Sequence, residues 1–174
     1  REKERDPKTR IYWPWDVWTD GRRVAATSTV DGSVLIWNTF PTKNNQPADI
    51  VIGSDNFSAR FSQPSGSLSD MGTPRSIEFD GTHFIVGDYN AYGAFVWNSF
   101  PNKSSQPADF EIKITNHTAG SDWIGTPQYA RLTGTQGVFI YNNSLFVSDG
   151  GNNRILVWLM FPENGNTEPD MVIG

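Results

Sequence analysis

Val34-Leu35-Ile36-Trp37-Asn38-Thr39-Phe40-Pro41 is the stretch of this sequence that decides its fold, because the chain repeats it twice. It returns as Ala94-Phe95-Val96-Trp97-Asn98-Ser99-Phe100-Pro101 and again as Ile155-Leu156-Val157-Trp158-Leu159-Met160-Phe161-Pro162, at offsets of 60 and then 61 residues. A constant offset of this size is typical of one supersecondary unit repeated along a chain. The sequence therefore predicts a protein built from three repeats.

Each copy of the stretch predicts a strand that is covered on both faces. Four apolar residues in a row cannot alternate between core and solvent, so both faces of the strand need cover. A proline cannot donate a ladder hydrogen bond and therefore ends the strand. An aspartate follows each copy in register. We predict that the structural core of the repeat consists of Trp37, Trp97, Trp158, Pro41, Pro101, Pro162, Asp49, Asp109 and Asp170.

Turn signals divide each unit into four short strands. In the first unit, for example, Asp20-Gly21 separates two apolar segments and is a tight hairpin signal. Four short strands joined by turns form an antiparallel meander, and such units at this period indicate a β-propeller. We expect an all-β fold of three four-stranded antiparallel propeller-type blades, part of a larger or oligomer-completed propeller. The predicted boundaries are a charged N-terminal arm at 1–9 and blades at 10–53, 54–113 and 114–174, all in one domain.

The third unit also resembles a known repeat family. Leu145-Phe146-Val147-Ser148-Asp149, followed by Asn152-Asn153-Arg154-Ile155-Leu156-Val157-Trp158, is similar to the NHL repeat of β-propellers, in its bacterial long-repeat form. The resemblance covers residues 14–174. It implies a propeller in which the aspartate and the arginine of the motif are largely scaffold.

The other two units depart from that motif. Asp88 keeps the aspartate in the second unit, whereas the first unit has Ser28 there. The arginine is kept only in the third unit, and its equivalents are Ser33 and Gly93. These departures put the uniformity of the blades in question rather than the fold. For Asp88 and Asp149, turn capping is the commoner role of such residues, and a shared ligand or cation is the alternative.

Composition excludes several classes of protein. The chain of 174 residues has a net charge of −5, which disfavours a surface for nucleic acid or anionic membrane. It contains no cysteine, so disulfides and thiolate metal sites are excluded. Its longest apolar run, 155–161, is far shorter than the roughly 20 residues of a membrane span.

Catalytic constellations are missing from the sequence. The two histidines, His83 and His117, are far apart, and a zinc site needs at least three good ligands. His83 is interpreted as a surface strand residue. No nucleophile elbow, phosphate loop or paired-carboxylate motif occurs. We therefore expect no cofactor, no metal and no catalysis, with a lyase-like enzyme completed by further blades as the remote alternative.

Two sets of residues are candidates for contacts and modification. Large aromatics on an exposed face can stack on sugar rings or anchor a protein interface, although packing against a neighbouring blade is the alternative for each. The candidate contact residues are Trp13, Trp15, Trp18 and Trp123. Asparagines in Asn-x-Ser/Thr sequons are glycosylation acceptors in secreted proteins. The candidates for glycosylation are Asn56, Asn102, Asn116 and Asn142.

The function expected from these features is interaction rather than catalysis. We expect a non-catalytic, extracellular or cell-surface propeller-repeat module that acts in protein interaction and assembly. Its expected partners are other copies of itself or further blades of a longer chain, with no nucleic acid and no insertion into a membrane. A glycan- or peptide-binding propeller is the alternative, and it gains support if the tryptophans of the first unit are exposed.

Overall fold

The computed structural model describes residues 6–58, 64–113 and 132–174, and within these ranges the chain forms three four-stranded sheets. Blade 1 contains β1 Val17–Thr19, β2 Val24–Ser28, β3 Ser33–Trp37 and β4 Ile50–Ile52. Blade 2 contains β5 Pro74–Phe79, β6 Phe84–Asp88, β7 Gly93–Trp97 and β8 Phe110–Ile112. Blade 3 contains β9 Thr135–Tyr141, β10 Ser144–Asp149, β11 Arg154–Trp158 and β12 Met171–Ile173. Single 3₁₀ turns occupy Pro7–Thr9, Thr29–Asp31 and Gly150–Asn152.

Every blade is an antiparallel meander whose strands pair in chain order. The predicted all-β fold of three four-stranded blades is thereby confirmed. The repeated apolar stretch supplies the third strand of each blade, and its tryptophan has an equivalent partner each time. Trp37 pairs with Val24, Trp97 with Phe84 and Trp158 with Leu145.

The blades are stacked face to face, with blade 2 in the middle. We call the face of a blade that looks toward the next blade its trailing face, and the opposite one its leading face. The trailing face of blade 2 carries Ile85, Ala94, Val96 and Ile112, and it packs on the leading face of blade 3, which carries Val138, Ile140, Leu145, Val147, Leu156 and Trp158. The trailing face of blade 1 carries Ala25, Val34, Ile36, Ile50 and Ile52, and it packs on the leading face of blade 2, which carries Ile77, Phe84, Val86, Phe95 and Trp97. The two interfaces use equivalent positions.

Hydrogen bonds also join the first strands of neighbouring blades. The backbone N–H of Ile77 donates to Asp16 Oδ2 at 2.9 Å. One blade further on, the N–H of Val138 donates to Ser76 Oγ at 3.0 Å. Asp16 and Ser76 are equivalent, being 60 residues apart, so the same link is made with two different side chains.

The structure corrects the predicted N-terminal arm at 1–9 over residues 6–9. The carbonyl of Lys8 accepts a hydrogen bond from the N–H of Ala48 at 2.9 Å, as the carbonyl of Leu68 accepts one from the N–H of Ala108 at 2.8 Å. Lys8 and Leu68 are 60 residues apart, so residues 6–9 are an in-register part of the first repeat. Their high charge gave the false impression of a separate arm. The predicted boundary at 114 lies outside the described residues.

Candidate functional site: the blade faces

The three repeated tryptophans hold each blade together. Trp97 and Trp158 are fully buried and Trp37 is nearly so. Each indole Nε1 donates to a carbonyl nine residues further on: Trp37 to Gln46 at 3.0 Å, Trp97 to Gln106 at 3.2 Å and Trp158 to Thr167 at 2.9 Å. The tryptophan therefore ties the third strand to the loop that leads into the fourth.

The repeated aspartates and prolines are structural as well. Oδ2 of Asp49, Asp109 and Asp170 accepts the N–H of the residue after the tryptophan, at 2.8, 2.7 and 2.7 Å respectively. These three carboxylates fix the end of the third strand at the blade edge. Pro101 and Pro162 are buried, whereas Pro41 is only half-buried.

Asp88 caps the turns at one end of blade 2. Its side chain is fully buried and accepts four backbone N–H groups, those of Gly72, Thr73, Asn90 and Ala91, at 2.8 to 3.0 Å. Burial raises the pKa of Asp88, and these four hydrogen bonds oppose the rise. With its oxygens occupied by the backbone, Asp88 has the capping role.

Blades 1 and 3 achieve the same capping with other atoms. In blade 3, Asp149 accepts the N–H of Thr133 at 2.9 Å and Arg154 Nε at 2.8 Å. In blade 1, Ser28 Oγ accepts the N–H of Tyr12 at 2.9 Å and donates to Asp31 Oδ2 at 3.0 Å. The loss of the motif aspartate from the first unit is thus offset by a serine and a carboxylate three residues later.

A cation on one blade stacks on a phenylalanine of the next blade. The guanidinium carbon of Arg23 lies 3.8 Å from the ring centroid of Phe100. The ring of His83 lies 3.9 Å from that of Phe161, at an interplanar angle of 8°. Arg23 and His83 are equivalent, and so are the two phenylalanines of the repeated Phe-Pro pair. We call this arrangement the cation–phenylalanine contact.

An aspartate three residues earlier orients each of these cations. Asp20 Oδ2 accepts Arg23 Nε at 2.9 Å, and Asp80 Oδ2 lies 3.1 Å from His83 Nδ1. Hydrogen bonds from the backbone and side chain of Arg23 hold the pKa of Asp20 at about 2. Burial would raise the pKa of Asp80, but hydrogen bonds from His83 and Thr82 lower it. His83 is therefore an inter-blade contact, which corrects its interpretation as a surface strand residue.

Sequence reasoning missed this contact, although its signal was present. The pattern Asp-Gly-x-cation recurs at the offset of 60 residues, in step with the Phe-Pro pair. Blade 3 breaks the pattern, since the positions equivalent to Asp80 and His83 hold Tyr141 and Ser144.

Trp18 belongs to the interface between blades 1 and 2. It is half-buried, and its ring lies 5.5 Å from that of Phe79 and 5.4 Å from that of Phe100. The structure thus corrects the prediction that Trp18 is an exposed contact residue and favours the packing alternative. Its bulk is needed because it fills the space between the first strands.

Trp13 and Trp15 lie on the surface. Their exposed fractions are 68% and 50%. The ring of Trp15 stands 4.4 Å from the guanidinium carbon of Arg75, whose other neighbour is the ring of Tyr89 at 3.8 Å. Trp123 lies outside the described residues, as does His117.

The sequon asparagines fall on the surface wherever the structure describes them. Asn56, Asn102 and Asn142 are all exposed. Asn116 lies outside the described residues. An exposed acceptor is the physical requirement for attaching a glycan.

The trailing face of blade 3 is bare of cover from the described residues. Its side chains are Phe139, Tyr141, Phe146, Ile155, Met171 and Ile173, all exposed except the half-buried Phe146. They are equivalent to Glu78, Asp80, Ile85, Ala94, Phe110 and Ile112 of blade 2. Blade 3 covers the apolar members of that blade 2 set. The bare face is therefore a blade-binding surface by position, with two aromatics where blade 2 has acids.

The leading face of blade 1 is the other end of the stack. Leu35, Trp37 and Val51 form a small buried cluster on this side with Ala26 and Ala48. At the edge of the face Phe40 is 53% exposed, whereas the equivalent Phe161 is 8% exposed under His83. Among the described residues, Phe40 is thus the member of the phenylalanine set that another blade leaves uncovered.

Within the described ranges no three His, Cys, Asp or Glu side chains come together as a metal site. In the same part of the chain, no helix reaches the length and apolarity that crossing a bilayer requires.

Three twisted meanders stacked face to face, with their first strands side by side, define a segment of a β-propeller. No protein-family model matches the chain, and no curated protein matches its sequence. Solved propellers match its fold. The WD40 propeller domain of Doa1 aligns with a TM-score of 0.50 and 13% identity, over 83% of this chain and 37% of that one.

Two further structures give the same result. A Bacteroides uniformis protein described as a putative 6-phosphogluconolactonase aligns with a TM-score of 0.53 and 16% identity, over 92% of this chain and 42% of that one. A humanized Chaetomium thermophilum Polycomb Repressive Complex 2 aligns with a TM-score of 0.50 and 16% identity, over 92% of this chain and 30% of that one. This chain therefore spans less than half the length of the propellers that it resembles.

Proposed function

We propose that this chain is a non-catalytic, NHL-like propeller module that acts in protein interaction and assembly, on the cell surface or outside the cell. The observation that carries the proposal is the bare trailing face of blade 3. Exposed apolar faces of this kind mark interaction surfaces, because water contact with them is costly. The face is also the edge of a sheet stack, where further strands and loops add readily.

The partner of the trailing face is a further propeller blade, supplied in the purified protein by a second copy of the chain. Both interfaces inside the chain use this same trailing surface against the leading surface of another blade. Closed propellers contain about 4–8 blades, so a three-blade stack gains cover by adding blades. Two of the similar structures, a WD40 domain and a component of a multiprotein complex, are consistent with an interaction role.

The extracellular setting rests on the sequons. Asn56, Asn102 and Asn142 are exposed, as the attachment of a glycan requires. Mass spectrometry of the protein from a glycosylating host, before and after treatment with a peptide N-glycosidase, tests this part. No loss of mass on treatment would contradict it.

The non-catalytic part of the proposal has its own test. We expect a strong chelator to leave the melting temperature unchanged, because a structural metal would couple its binding energy to folding. A large fall that zinc or calcium restores would favour the lyase-like enzyme instead.

Self-association tests the trailing face directly. We expect the 174-residue chain to associate with increasing concentration in sedimentation velocity experiments, and Ile155→Asp to weaken that association because it places a charge on the bare face. Met160→Lys is the matched control, since Met160 is 71% exposed but lies in a loop outside the face. A wild-type monomer with a cooperative melt at all concentrations would contradict the proposal.

A glycan- or peptide-binding propeller is the second candidate, and the exposure of Trp13 and Trp15 favours it. The exposed indole of Trp15 beside the guanidinium of Arg75 offers a flat apolar surface next to a cation. Titration with a panel of oligosaccharides, followed by tryptophan fluorescence, tests it. We expect any saturable response to be lost in Trp15→Ala, and a response that survives this change would argue against the site.

A further inference from the structure

The cation–phenylalanine contact occurs at both interfaces within the chain. At the first interface Arg23 of blade 1 covers Phe100 of blade 2, and at the second His83 of blade 2 covers Phe161 of blade 3. In both cases the cation comes from the preceding blade and the ring from the following one. The contact is therefore a regular part of how one blade of this protein recognises the next.

Phe40 is the same ring on blade 1, and it faces the position of a preceding blade. Its 53% exposure shows that nothing in the described ranges covers it as Arg23 and His83 cover its equivalents. The neighbouring Pro41 is half-buried, whereas Pro101 and Pro162 are buried. The edge of the leading face is thus prepared for a contact that the described residues do not supply.

A second copy of the chain cannot supply that contact from its trailing face. The residue that would reach Phe40 is Ser144 of blade 3, whose Oγ donates instead to the carbonyl of Leu159 at 2.9 Å. The orienting aspartate is replaced by Tyr141. Blade 3 therefore lacks, at these two positions, both the cation and the carboxylate that makes the cation rigid.

We infer that the leading face of blade 1 binds a non-identical propeller blade, one whose first hairpin presents an arginine or histidine, oriented by an aspartate three residues earlier, onto Phe40. This inference rests on the proposed function, because it assumes that blades dock on the ends of the stack. It adds the identity of one partner by chemistry. A guanidinium or imidazolium over a phenyl ring is attracted by the ring's negative face, and the aspartate keeps the cation in place.

The partner's hairpin can be grafted onto the chain to test the inference. The double variant Tyr141→Asp/Ser144→Arg gives blade 3 the missing pair, and Tyr141→Asp/Ser144→Gln is its uncharged match. We expect the arginine variant to self-associate about 2- to 30-fold more tightly than the glutamine variant, as a cation–π contact of ordinary strength requires. Analytical ultracentrifugation measures both association constants.

Phe40 variants then assign the gain to the ring. Phe40→Ala should abolish the gain from the graft, and Phe40→Tyr should retain it. In the chain without the graft, Phe40→Ala should leave both self-association and the melting temperature unchanged. A gain that is absent, or that survives Phe40→Ala, would overturn the inference.

The two proposals fail in different measurements. Weakening of wild-type self-association by Phe40→Ala would show that a second copy already uses the ring, which overturns the inference and leaves the assembly role intact. Insensitivity of wild-type association to Ile155→Asp would overturn the assembly role of the trailing face, whereas the dependence of the graft on Phe40 is read separately.

Discussion

At the scale of the residue, the three repeats share atoms rather than merely sequence. The indole of Trp97 gives its N–H to the carbonyl of Gln106 while its ring lies within the interface with blade 1. One side chain therefore serves the blade and the stack at once. A substitution there removes packing on both counts and leaves a buried carbonyl without its donor.

We expect Trp97→Ala to lower the free energy of unfolding by about 3–5 kcal/mol, because a fully buried indole leaves a cavity that the strands cannot close. Urea denaturation followed by circular dichroism measures the loss. Trp13→Ala is the control, since loss of the exposed indole should cost at most about 0.5 kcal/mol. Equal unfolding midpoints for Trp97→Ala and the wild type would refute the buried position of the strand.

A buried carboxyl group makes the stability depend on pH. Burial raises the pKa of Glu111 above its ordinary value of 4.5, a hydrogen bond from Lys113 opposes the rise, and the charge of Asp88 adds to it. Because the folded-state pKa is raised, the stabilising contribution is present at low pH and is lost as the pH rises through the folded-state value. Glu111→Gln removes this dependence.

We therefore expect Glu111→Gln to gain stability relative to the wild type as the pH rises from about 4 toward 7. The difference in the free energy of unfolding, measured by urea titration at several pH values, should grow through that window. Glu163→Gln on the exposed surface is a matched control and should show no such growth. A difference that stays constant with pH would contradict the raised pKa.

At the scale of the element, the first strands and their hairpins decide how blades join. β1 spans three residues and β9 seven, yet both occupy the same place in the meander. What is constant is the link from one first strand to the next, made by Asp16 in one interface and by Ser76 in the other. The cation–phenylalanine contact closes the opposite end of the same hairpins.

We expect Arg23 and Phe100 to be coupled by about 0.5–1 kcal/mol in a double-mutant cycle that uses Arg23→Ala and Phe100→Leu. The physical reason is the stacked guanidinium, which Asp20 holds in place. Free energies of unfolding for the four proteins give the coupling. The pair Arg22→Ala and Phe100→Leu is the control, because Arg22 carries the same charge on an exposed side chain one residue earlier. Additive costs in the Arg23 cycle would show that the contact contributes nothing.

The sequence predicted the elements well where a local pattern carries the information. The unbroken apolar stretch ending in Trp97 predicted a strand buried on both faces, and β7 is buried throughout. The nature of the first ten residues could not be predicted in the same way. Charge indicated a free arm, but the backbone of Lys8 is bonded to Ala48 whatever its side chain is.

The candidate site was harder to predict because it depends on which blades are neighbours. Trp18 has the chemistry of a surface anchor, yet Phe79 and Phe100 pack against it in the folded stack. The replacement of the motif aspartate by Ser28 with Asp31 was likewise invisible, since three residues separate the two partners. Such substitutions preserve a position in space rather than in the sequence.

At the scale of the whole molecule, the stack is a chain of nearest neighbours. Blade 2 touches both others through its first strand, which contacts β1 on one side and β9 on the other. In such arrays stability is roughly a sum of the stabilities of single units and of the interfaces between them. Blade 2 contributes to two interfaces, and each outer blade contributes to one.

The central position of blade 2 gives the molecule an order of opening. Amide protons exchange with solvent only when their strand opens, and opening an outer blade breaks one interface whereas opening the middle blade breaks two. The slowest deuterium uptake should therefore lie in β6 and β7, and the fastest in β12 at the free edge. Exchange followed by mass spectrometry of peptic fragments would map this gradient. A partner docked on blade 3 would reveal itself by slowing uptake there first, so the same map would locate the binding face whatever the partner is.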